Sequence, residues 1–80
     1  MPVIFRHRGI RIFFFSNEGD PREPVHVHAQ RANCLAKIWL KPSVLVASSY
    51  GFSSAELKEL VSVIEDNAER IEGAWNEHFG

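Results

Sequence analysis

His26 and His28 are the residues whose type and spacing most invite chemistry, because they alternate with Val25, Val27 and Ala29. In an extended strand, residues two apart project from one face about 6.5–7 Å apart. Two imidazoles so placed suit two kinds of chemistry. In the first, one ring takes a proton and the other gives one while a cation stabilises the charge on phosphorus, the arrangement that cleaves an RNA phosphodiester. Arg11 is the candidate cation, so His26, His28 and Arg11 form the candidate catalytic set of a metal-independent ribonuclease. Arg6, Arg8 and Arg31 are candidate nucleic-acid contacts, and Lys37 is a further basic residue in the same half of the chain. In the second, both rings ligate zinc, which needs three or four protein ligands. The others would come from Cys34, His7, His78 or Asp20, none of which forms a second close pair. No metal ligand set is assigned on that spacing, and no cofactor. Beside both stands the plain alternative of histidines on a solvated sheet face, or partly covered by Trp39, with no chemical role.

The elements that must position these residues follow from local patterning. Val3–Arg6 and Ile10–Ser16 are rich in β-branched and aromatic residues around His7-Arg8-Gly9, which predicts a hairpin. Phe13 and Phe15 share a face with Arg11, so they either stack bases beside the cations or fill the core with the arginines at its rim. Asn17–Pro24 has turn residues and predicts a surface loop. Strands are expected over Val25–Gln30, Cys34–Leu40 and Val44–Ser48. Ser53 and Glu56 have the spacing of a capping box, and Leu57, Leu60, Val61, Ile64, Ala68, Ile71 and Trp75 then recur at helical spacing.

The predicted fold is α+β: a curved antiparallel sheet of four to five strands with one long C-terminal helix packed on it, in a single domain over residues 1–80. A straight helix over 55–79 would run about 37 Å, against about 20 Å for a six-residue strand. It should overhang the sheet unless Gly73 bends or ends it. Trp75 and Phe79 then either project as partner-binding aromatics or, in the case of Trp75, fold back over the sheet edge.

Composition narrows the class. With 45% hydrophobic and 24% charged residues, the 80-residue chain has the makeup of a folded globule. Its formal charge of −1 conceals an uneven split, net +4 over residues 1–41 and net −5 over residues 42–80. The first half suits phosphates or an acidic partner. One cysteine, Cys34, excludes an internal disulfide, and its neighbours Asn33 and Leu35 offer nothing to stabilise a thiolate. The apolar runs are too short for a membrane helix, and a cytoplasmic location is expected. A core this small makes assembly, with a second copy or another protein, a natural expectation.

Pro2-Val3-Ile4-Phe5-Arg6, Arg11-Ile12-Phe13-Phe14-Phe15-Ser16-Asn17, Pro24-Val25-His26-Val27-His28 and Ala74-Trp75-Asn76-Glu77-His78-Phe79-Gly80 span nearly the whole chain. Together they resemble the small bacterial DhiT-type toxin family. That resemblance implies the toxin component of a type II toxin-antitoxin module, neutralised by direct binding of a DhiA-type antitoxin. It implies no catalytic residues. Ribonuclease-like or RNA-binding action through His26 and His28, and a small metal-binding module, are the readings that the residues themselves add.

Overall fold

A computed structural model describes residues 3–14 and 24–79. Phe15, Asp20 and the expected loop before Pro24 lie outside the described residues. Five strands, β1 (Val3–His7), β2 (Ile10–Phe13), β3 (His26–Arg31), β4 (Cys34–Trp39) and β5 (Leu45–Tyr50), form one antiparallel sheet in chain order. Two helices follow, α1 (Ser54–Asp66) and α2 (Ala68–Phe79). The α+β class is as expected, with five strands and two helices where one long helix was predicted.

Tight turns set the strand register. His7 pairs with Ile10 across Arg8-Gly9, both at positive φ (49° and 79°), the conformation whose twist matches that of the flanking strands. Arg31 pairs with Cys34 across Ala32-Asn33, and of those two only Ala32 has positive φ, 53°. The ladder between β3 and β4 extends past both strands, where the Leu40 N–H donates to the Val25 carbonyl at 3.0 Å.

Alternation divides the sheet cleanly. Ile10, Ile12, Val27, Ala29, Ala36 and Ile38 turn to one face and pack with Leu60 and Ile64 of α1 and Ile71 of α2 into the main core. Arg11, Phe13, His26, His28, Gln30, Leu35, Lys37 and Trp39 occupy the opposite face, each across from another member of that set along the ladders, and α2 reaches this face at the His26 end, through Trp75.

α1 starts as its sequence demands. The Glu56 N–H donates to Ser53 Oγ at 3.1 Å, and the Ser53 N–H donates to Glu56 Oε1 at 2.9 Å. The helical stretch then breaks at Asn67, not at Gly73. Asn67 has left the helical region at φ −112°, ψ 14°, and its side-chain amide donates to the Val63 carbonyl at 2.8 Å. A short amide side chain that competes for a backbone carbonyl is a recognised way to end a helix. The Asn67 carbonyl then accepts the Ile71 N–H at 3.0 Å, so α2 begins at once. Gly73 lies inside α2 and bends nothing.

The break removes the expected overhang. A straight helix of about 37 Å would exceed the longest dimension of the molecule, 34 Å. Instead α2 brings Trp75 back over the end of the sheet, where it is 1% exposed and packs on Phe14 at 5.3 Å and His26 at 5.2 Å between ring centroids. Phe79, one turn on, stacks against Trp75 at 4.4 Å and Phe14 at 5.4 Å. Of the two alternatives for Trp75, folding back over the sheet edge is the one observed.

Candidate functional site

His26 and His28 do share a face of β3, with ring centroids 5.3 Å apart and the planes nearly perpendicular. Their surroundings differ. His26 is fully buried, edge-on to Trp39 at 5.1 Å and packed on Trp75. Its Nδ1–H donates to the Pro24 carbonyl at 3.0 Å, a contact that fixes the ring and, when neutral, its tautomer. An imidazole this enclosed is a core group, and a two-ring acid–base mechanism requires both rings to reach one phosphate. His28 is half-buried, next to the Phe13 ring at 5.6 Å and opposite Lys37 on β4.

A shallow concavity of about 300 Å³ opens beside His28, lined also by Leu35, Lys37, Ser48 and Tyr50. These residues meet because β4 pairs Leu35 with Tyr50 and Lys37 with Ser48. Tyr50 escaped the sequence reading because β5 was expected to stop at Ser48. The missed signal is that Tyr50 follows an uninterrupted uncharged strand and precedes Gly51, whose φ of 87° makes the turn.

The cations divide between the two faces. Arg11 donates from Nη2 to the Gln30 side-chain oxygen and lies over the Phe13 ring at 5.2 Å, so it shares the face of His28 one register step away. Arg6 is exposed opposite Arg11, and the Lys37 ammonium sits 4.4 Å from the centre of the Trp39 ring. Arg8 and Arg31, expected beside them, are engaged by α1 instead. Arg8 reaches Glu59 at 3.4 Å, where His7 also binds at 2.9 Å. Arg31 pairs with Glu56 and covers the Phe52 ring. The backbone N–H of Ser53, and then Arg31, hold the Glu56 carboxyl below its ordinary pKa, and the same carboxylate raises that of Arg31.

Seen whole, the described charges are layered. Every described carboxylate side chain lies on α1 or α2, whereas Arg6, Arg11 and Lys37 lie on the sheet face turned away from them. Among the described residues no three His, Cys, Asp or Glu side chains come together as a metal site. Cys34 sits opposite Arg31 at the other end of the β3–β4 ladder from His26. Among those residues, too, no helix is long and apolar enough to cross a membrane.

This architecture defines a small α+β protein: a five-stranded antiparallel meander, helices on one face, and a mixed basic and aromatic surface on the other. The family described as "Domain of unknown function (DUF4160)" matches residues 9–76, and the chain belongs to it. No curated protein and no solved structure matches the chain.

Proposed function

We propose that this protein is the toxin component of a type II toxin-antitoxin module, neutralised by direct binding of a cognate antitoxin, and that an acidic segment of the antitoxin docks on the sheet face turned away from the helices. The resemblance to DhiT-type toxins supports the module, and the layered charge supports the face. Arg6 and Arg11 stand opposite each other on that face, and every described carboxylate lies on the helices, so an anionic partner meets attraction there and repulsion at the helices.

The test is co-expression with the product of the adjacent gene. The two proteins should purify as a stable complex, and antitoxin co-expression should relieve growth arrest caused by this chain alone. Arg6→Glu with Arg11→Gln should weaken the complex at least tenfold, while Lys58→Glu on exposed α1 leaves it unchanged. A neighbour that never binds, or binding that ignores the two arginines, overturns the respective half of the reading.

RNA is the second reading, carried by the basic side chains of that face beside Trp39 and the exposed Tyr50, since base stacking next to basic side chains is how sheets hold single strands; Phe13, 1% exposed, is closed to a base. His28 is its reactive candidate, with Arg11 nearby. RNA cleavage that is unchanged in both His28→Ala and His26→Ala would remove the two histidines from any catalysis.

A further inference from the structure

The two outer edges of the sheet are treated differently. At β1, Arg70 donates to the Ile4 carbonyl at 3.3 Å and lies over the Phe5 ring at 5.2 Å, so a charged side chain from α2 occupies that edge. β1 also carries Arg6 and His7. Charged residues on an edge are the usual obstacle to pairing with another chain. β5 has none of this. Its sequence, Leu-Val-Ala-Ser-Ser-Tyr, holds no charge and no proline, and it is exposed along nearly its whole length.

We infer that β5 is a dimerisation edge, pairing antiparallel with β5 of a second copy to continue one sheet through both molecules. The strand is built to match itself. Leu45 and Tyr50 are five residues apart and would ordinarily lie on opposite faces. The ladder to β4 skips Ala47, pairing Lys37 with Ser48 but Ile38 with Val46, and this bulge returns Leu45 and Tyr50 to one face. In a two-fold pairing centred between Ala47 and Ser48, Leu45 of each copy therefore lies opposite Tyr50 of the other on one face, and Val46 opposite Ser49 on the other, with the two bulges meeting at the centre. Leu45 and Tyr50 are 56% and 73% exposed, so the pairing brings together the two most exposed large apolar side chains described. An uncharged strand meets no like-charge penalty from its own copy, and two-fold symmetry is the commonest closed arrangement.

Sedimentation of the 80-residue protein tests this without any antitoxin. The wild type should be a dimer at tens of micromolar. L45K/Y50K places like charges opposite each other at both ends and should raise the dissociation constant at least tenfold, leaving a monomer with wild-type circular dichroism. L45K/Y50E places opposite charges there and should restore the dimer, which a merely misfolded edge would not do. A wild type monomeric throughout that range, or an L45K/Y50K protein as dimeric as wild type, overturns the proposal. So does a monomer that uses β5 only to bind the antitoxin, read as loss of that complex in L45K/Y50K. The dimer stands independently of the toxin reading, because Arg6 and Arg11 lie elsewhere on the sheet.

Discussion

At the residue scale, two histidines of identical local pattern have become different chemical objects. His26 is enclosed by Trp39 and Trp75 and tied to the Pro24 carbonyl, whereas His28 borders the concavity next to Lys37. Removing a buried, satisfied ring leaves a void and breaks packing, so His26→Ala should cost about 2–4 kcal/mol in urea unfolding. His28→Ala should cost no more than about 1 kcal/mol. Equal losses would contradict the unequal burial. Glu56 makes a separate prediction. Its carboxyl titrates below its ordinary 4.5 because the Ser53 N–H and Arg31 stabilise the anion. A lowered folded-state pKa contributes stability that is complete above the unfolded value and disappears as pH falls through the folded one. The difference in melting temperature between wild type and Glu56→Gln should therefore be largest near neutrality and close below about pH 4.5. It should also shrink with added salt, since the pair is partly exposed.

At the element scale, the glycines separate what local pattern dictates from what packing decides. Gly73 is helical, with nothing within 4 Å of the place a Cβ would take. Gly73→Ala should stabilise by about 0.5–1 kcal/mol, read as a raised melting temperature, because alanine loses less backbone entropy in a helix. Gly51 is the opposite case: its φ is 87°, and a Cβ there would lie 2.9 Å from Cys34 Sγ and 3.2 Å from Cys34 Cα. Gly51→Ala should cost at least about 2 kcal/mol by the same measurement, since neither the φ nor the neighbouring backbone can give way. The strands and the Ser53 cap were legible because period-two alternation and a three-residue capping spacing are local signals. The break at Asn67 was not, because the apolar stripe runs through it without a missed step from Ile64 to Ala68 and Ile71. Only the length of the sheet to be covered reveals that a straight helix would not fit. For the same reason Arg8 and Arg31 looked equivalent to Arg6 in the sequence. Their capture by Glu59 and Glu56 depends on where α1 crosses the sheet.

At the scale of the whole molecule, the question is whether α2 is an arm held out to a partner or a part of the body. Trp75 decides it. The indole joins Phe14 at the end of β2, His26 on β3 and Phe79 on its own helix, so one side chain ties the last element to the middle of the sheet. A chain of this size is held together by about 4–12 kcal/mol in total, and truncating a buried tryptophan costs about 3–5 kcal/mol. Trp75→Ala should therefore remove a large share of the stability of the entire protein, lowering the urea midpoint of far-ultraviolet and near-ultraviolet dichroism together. A partner-binding tryptophan on an overhanging helix behaves otherwise: its loss abolishes the complex and leaves the unfolding curve of the free protein in place. Phe79→Ala serves as the graded comparison. Phe79 is half-buried at the edge of the same cluster, so its removal should lower the same midpoint by a smaller amount. If α2 instead melts alone, well before the sheet, the aromatic cluster is not what joins the two, and the helix is an appendage after all.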